Sequence, residues 1–207
     1  MSRQEHWEAV YAAKEPSQVS WFRPHLDRSV AWIEGLGLDS GAHIVDVGAG
    51  ASTLVDDLLA RGFVRISALD LSAQALARSQ ARLGEEAADR VRWIVGDATE
   101  ALLEADSVDL WHDRAVFHFL TEEAQRAAYV AQLARALRVG GVVILATFAP
   151  DGPERCSGLP VARHSVASLR EALGPAFVLL DEAREVHETP WGSPQVFTYA
   201  MFRRGGV

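Results

Sequence analysis

The sequence predicts an α/β fold with a doubly wound, mainly parallel sheet and helices on both faces, on three observations. From His43 onward, short apolar runs alternate with helical stretches, the pattern of a parallel sheet covered on each side. A Gly-x-Gly turn, Gly48-Ala49-Gly50, joins the first run to the helix after it. The last two runs lie close enough in sequence to pair as an antiparallel hairpin at the sheet edge. At 207 residues, 49% hydrophobic and 23% charged, the chain has the length and composition of one globular domain, which excludes a disordered, collagenous or disulfide-framework protein.

The elements follow in order. Trp7, Val10 and Tyr11 at i, i+3 and i+4 predict a helix over Arg3 to Ala13 with an aromatic stripe. A loop with Pro16, Trp21, Phe22 and Pro24 precedes a second helix whose apolar face carries Leu26, Val30 and Ile33, ended by Gly35, Gly37 and Gly41. Strands are predicted at Ile44 to Val47, Arg65 to Leu69, Val91 to Val95, Val108 to Trp111 and Val142 to Phe148. Helices are predicted at Thr53 to Arg61, Ala73 to Leu83 and Glu122 to Leu137, the last with Thr121 as N-cap. A loop from Pro150 to Pro160, a short helix near Ser165 to Leu173 and strands at Phe177 to Val186 and Gln195 to Arg203 complete the chain. This organisation divides one domain, 1–207, into an N-terminal helical segment (1–40), a core (41–148) and a C-terminal loop, helix and hairpin (149–207).

Charge and cysteine content narrow the function. The net charge of −8 argues against nucleic acid as a partner, and the 19 Arg against the single Lys14 are scattered rather than clustered. No apolar run nears the roughly 18 residues of a membrane span, and the start Met-Ser-Arg-Gln-Glu lacks a signal core, so a cytoplasmic location and no membrane partner are expected. Cys156 alone forms no internal disulfide and no Cys-rich zinc site, no metal is expected, and only Arg155 stands beside it to activate the thiol.

The turn after the first strand brings backbone and a helix start close to a ligand. Asp70 closes the second strand 20 positions beyond Gly50, the spacing at which an acid grips a ribose diol. A dinucleotide fits poorly: Thr53 stands where the third glycine would be, and Asp46, two residues before Gly48, would repel a pyrophosphate. A ligand with an ammonium, a sulfonium and no phosphate suits these charges, and S-adenosylmethionine has all three properties.

In these features the chain resembles the class I S-adenosylmethionine-dependent methyltransferases, with their Rossmann-like fold, over essentially its whole length. Asp46-Val47-Gly48-Ala49-Gly50 looks like the first motif, Leu69-Asp70-Leu71-Ser72 like the ribose position, Val95-Gly96-Asp97-Ala98 like the adenine-side acid, and Val108-Asp109-Leu110-Trp111-His112-Asp113-Arg114 like the strand leading to the acceptor. The resemblance implies cofactor contacts from Asp46, Gly48, Gly50, Asp70, Leu71, Asp97, Ala98 and Arg114. His6-Trp7-Glu8, Tyr11 and Ser20-Trp21-Phe22 resemble the opening of a subgroup that includes eukaryotic protein-lysine methyltransferases, which implies that Trp7, Tyr11 and Trp21 fold over the cofactor. The same aromatics also fit an ordinary core stripe. Where that subgroup has an acid, a lysine and a glycine after the fourth strand, this chain has Asp113-Arg114-Ala115.

His112, Asp113 and Arg114 sit where the fourth strand ends, on the side where open α/β sheets bind ligands. His112 is the first candidate for a general base and Asp113 the second, although Asp113 and Arg114 also make a natural ion pair. His118, inside Phe117-His118-Phe119, reads as buried and hydrogen-bonded rather than catalytic. The leading function is methyl transfer to a small-molecule acceptor under a lid formed by the Pro150 to Pro160 loop, as in the similar thiopurine-type enzymes. Protein-lysine methylation is the second reading. A cofactor-binding module without catalysis is the third, disfavoured because the polar cluster after the fourth strand is retained.

Overall fold

The computed structural model describes residues 2–100 and 102–206; the outer segment limits at 1 and 207 lie outside them. In chain order the elements are α1 (Arg3–Ala13), α2 (Asp27–Gly35), β1 (His43–Val47), α3 (Leu54–Ala60), β2 (Arg65–Asp70), α4 (Ala73–Leu83), α5 (Glu85–Ala88), β3 (Val91–Val95), β4 (Val108–Arg114), α6 (Glu123–Ala136), β5 (Leu137–Phe148), β6 (Arg155–Cys156), β7 (Leu159–Pro160), α7 (Val166–Leu173), β8 (Phe177–Glu188) and β9 (Pro194–Arg204). Seven strands form one sheet in the order β3-β2-β1-β4-β5-β9-β8, and β6 pairs only with β7. The first five are parallel, and β9 joins β5 antiparallel, with β8 outside it.

Alternation along the strands sends side chains to two cores. Ile44, Ile66, Leu110 and Ile144 pack under α2, α3 and α4 with Ile33, Leu58 and Leu76. Val45, Val47, Trp111 and Leu145 pack under α6 and α7 with Leu133 and Leu169. The winding direction reverses between β1 and β4, and at such a switch point the strand ends splay to leave a crevice.

Several details differ from the sequence expectation: β5 starts at Leu137 rather than Val142, and the short helix α5 precedes β3. Glu122, not Thr121, is the N-cap of α6, because its side chain and that of Gln125 close a reciprocal capping box. The expected loop between Pro150 and Pro160 contains the two-residue strands β6 and β7. β4 runs on to Arg114, since Asp113 and Arg114 stay in register with Leu145 and Ala146 of β5. Among the described residues, no helix is long and apolar enough to cross a membrane, and no group of three or more His, Cys, Asp or Glu is placed to hold a metal ion.

Candidate cofactor and acceptor cleft

The turn after β1 is built for close approach. Gly48 and Gly50 have φ of +68° and +48°, in the region that favours glycine. A Cβ on Gly48 would stand 2.1 Å from Val116 Cγ2, and one on Gly50 2.4 Å from Tyr11 Oη. Leu69 O accepts from Gly48 N at 2.7 Å and Ala49 N at 3.1 Å, which ties the turn to the end of β2. Asp70 completes that tie: Oδ2 accepts from Gly50 N at 2.9 Å and Oδ1 from Ser72 N at 2.8 Å. Burial pushes its carboxyl up to about 6, against the pull of those two N–H groups.

A cleft of about 780 Å³, including its open mouth, lies over this turn. It brings together Trp7, Tyr11, Trp21, Gly48, Asp70, Leu71, Asp97, Ala98 and Arg114. Gly50 is not in its wall but lies beneath Tyr11. The aromatics interlock: the Trp7 ring centroid is 5.6 Å from Trp21 and 5.1 Å from Phe119, both edge-on. Helix α1 reaches the sheet through polar contacts. Glu8 accepts from Ser72 Oγ at 2.9 Å and Ala73 N at 2.7 Å, and Arg3 pairs with Asp97 at 2.6 Å. Sequence reasoning missed Arg3, Phe119 and Cys156 as cleft residues. Arg3 and its partner stand 94 positions apart, and no local pattern announces such a pair. Cys156 arrives through the unforeseen β6–β7 hairpin, and burial pushes its thiol up to about 11.

The end of β4 places both base candidates, His112 and Asp113, inside the fold. His112 is fully buried, with Nδ1 2.7 Å from Asp46 Oδ1 and Nε2 2.9 Å from Ser29 Oγ, so both ring nitrogens are engaged. It borders a smaller recess beside the cleft, shared with Asp46, Gly48, Trp21 and Arg114. Asp46 Oδ2 is buried there and has no partner among the described residues. Asp113 is also fully buried and borders neither space: it accepts from Val116 N at 2.8 Å, Phe117 N at 3.0 Å and Tyr129 Oη at 2.6 Å. It holds the turn after β4, where Ala115 takes a φ of +76°, and burial pushes its carboxyl up to about 6. Among the described residues no ion pair joins it to Arg114, which bonds instead to Tyr199 and Trp21. His118 is buried and accepts from Phe148 N at 3.3 Å.

Residues 44–141 match the family described as "Methyltransferase domain". The chain is 21% identical over 158 residues to EEF1A lysine methyltransferase 2 of Homo sapiens, covering 70% of this chain and 67% of that protein. Among solved structures it resembles a SAM-dependent methyltransferase from Anabaena variabilis, with a TM-score of 0.76, 15% identity and coverage of 99% of this chain and 96% of that one. It also resembles 1,6-didemethyltoxoflavin-N1-methyltransferase of Burkholderia thailandensis, solved with 1,6-didemethyltoxoflavin and S-adenosylhomocysteine bound. There the TM-score is 0.76 and the identity 21%, with coverage of 98% of this chain and 87% of that one.

Proposed function

We propose that the chain is a class I S-adenosylmethionine-dependent methyltransferase that transfers the methyl group to a small-molecule acceptor bound in the aromatic cleft. The observation that carries this reading is the lining of the cleft: apolar and aromatic walls, with the Trp7, Trp21 and Phe119 rings packed edge-on, surround a few polar groups, Asp70, Asp97 and Arg114, the make-up of a small-molecule site.

The residues present fit the cofactor. Asp46 Oδ2 is a buried acceptor with no partner, suited to an ammonium group. The glycine turn lets Val116 and Tyr11 close against the backbone, and Gly48 itself borders the cleft. Asp70 borders the cleft with lone pairs to spare for ribose hydroxyls; Leu71 and Ala98 would offer apolar surface to an adenine, and Asp97 would supply a polar group at its edge. S-adenosylmethionine, when bound, supplies an electrophilic methyl carbon on a sulfonium. Trp7, Tyr11 and Trp21 cover that site and exclude water. His112, braced by Ser29, fixes the rotamer of Asp46 and is a positioning residue rather than a base. With His112 and Asp113 both committed, the protein contributes alignment and desolvation, so acceptors that arrive deprotonated suit it best.

A protein lysine is the second reading, favoured by the human relative. An incoming lysine ammonium would meet the Arg114 guanidinium on the acceptor side of the cleft, which opposes it. Incubating the purified protein with methyl-labelled cofactor separates the two, using a cell lysate in one arm and a panel of thiols, amines and phenols in the other. Label in the small-molecule fraction is expected. Label confined to lysines of lysate proteins would replace this reading with the second.

A further inference from the structure

We infer that the acceptor is a planar anion, an aromatic carboxylate or an acidic phenol, selected by Arg114; this rests on the methyl-transfer reading above. Arg114 is the last residue of β4 and borders both the cleft and the recess. Its guanidinium is held in one orientation by neutral groups. Nε donates to Tyr199 Oη at 3.1 Å, Nη1 donates to Trp21 O at 3.2 Å, and Cζ lies 4.6 Å from the centroid of the Phe197 ring. None of these balances its charge, and among the described residues no carboxylate comes within ion-pair distance. Nη2 is buried and has no hydrogen-bond partner among the described residues.

A fixed, partly buried cation without a counter-charge is costly unless a ligand supplies the anion. The other arginine of the cleft, Arg3, does not share this property, because Asp97 neutralises it. Nη2 and the N–H that Nη1 keeps free are unused donors of a planar guanidinium, the group that pairs a carboxylate bidentately and repels an ammonium. The neighbouring wall is made of the Trp7, Trp21 and Phe119 rings, which favour a flat partner.

Paired probes of one shape test this: 2-naphthoate and its neutral amide, 2-naphthamide, titrated into protein saturated with S-adenosylhomocysteine and followed by tryptophan fluorescence. Naphthoate is expected to bind at least tenfold tighter, and Arg114→Gln should bring the two to within twofold of each other. Tyr199→Phe keeps the ring and frees Nε, so it should cut the preference severalfold; it serves as the second variant if Arg114→Gln does not fold. Naphthoate that binds no tighter than the amide, or not at all, overturns the inference, as does a preference that survives in a folded Arg114→Gln. The cofactor's own carboxylate is the other anion at hand. A variant that loses S-adenosylhomocysteine yet still binds 5′-methylthioadenosine, which lacks that carboxylate, would assign Arg114 to the cofactor and overturn the inference. Failure of the parent protein to bind S-adenosylhomocysteine would instead bring down the cofactor reading, and this inference with it.

Discussion

Strand β1 and helix α1 border the same cleft and are held in place by opposite means. Every residue of β1 is buried between two neighbouring strands and two layers of helix. Along the eleven residues of α1 only Tyr11 is buried, and the helix is fastened by Glu8 on the start of α4, by the Arg3–Asp97 pair and by Arg78 Nη1 on Lys14 O at 2.6 Å. Exposed or partly exposed polar contacts of this kind contribute little each, whereas burial of a full strand is cooperative with the whole domain. The floor of the site is therefore set by the core, while its wall is an attachment that can open without unfolding the floor.

The most severe break of that contrast is removal of residues 1–24, which deletes α1 and Trp21. A folded, cooperatively melting domain is expected that binds cofactor at least a hundredfold more weakly and transfers no methyl group. Calorimetry and circular dichroism check both halves of this. Tyr11 and Val19 are buried, so some loss of melting temperature accompanies the deletion. A truncated chain that no longer melts cooperatively would make α1 part of the core. One that melts and works like the parent would leave the segment with no role in the site.

A smaller change tests the floor alone. Asp70→Ala should weaken cofactor binding by about 1.5–3 kcal/mol, the range for hydrogen bonds to a charged group, while the fold persists. The carboxylate must be ionised to accept from both the protein and the ribose, and burial raises its pKa to about 6 in the free protein. Cofactor affinity should thus be full above that pH and decline as the pH falls through about 6, with a flat profile for Asp70→Asn. Unperturbed affinity in Asp70→Ala would remove Asp70 from the site. For stability the same shift has the opposite sense: the folded state binds the proton more tightly than the unfolded chain, so this group's contribution diminishes as pH rises from about 4 to about 6.

What the sequence made legible follows the same division. The floor depends on local pattern: apolar runs, a Gly-x-Gly turn and an acid 20 positions on, each visible in a short window. The wall and the inward-facing polar groups depend on pairing across the chain. Asp46 and His112 are register partners on β1 and β4, but Ser29, which takes the other ring nitrogen, comes from α2, 83 positions away. Without that third partner His112 looks like a free base at a strand end. The structural task of Asp113 is the more readable of the two. Its bonds to Val116 N and Phe117 N are local, the side-chain-to-backbone pattern of an acid before a turn, and that pattern competes directly with a catalytic role. Glu8 carried no signal of its task, because the helix end it caps belongs to α4.

Glu8 also gives the finest test of how the wall is attached. A carboxylate at a helix N-terminus contributes roughly 0.3–1 kcal/mol through the helix dipole, and Glu8 supplies one to α4 from a separate element. Glu8→Gln keeps an acceptor oxygen and removes the charge, so it should shift the opening of α1 by that amount, a roughly two- to fivefold change in population. If the wall is closed most of the time, cofactor affinity hardly moves, because the closed fraction stays near one. The effect belongs instead to opening: α1 amides should exchange hydrogen two- to fivefold faster, and S-adenosylhomocysteine should dissociate faster by a similar factor. Both differences should shrink as salt is raised, since the contact is partly exposed and therefore screened. The melting temperature should stay put, because β1 and its neighbours do not rely on Glu8. A variant that melts earlier while its α1 exchange and cofactor release are unchanged would mean that α1 is welded to the core, and the distinction between floor and wall would fail.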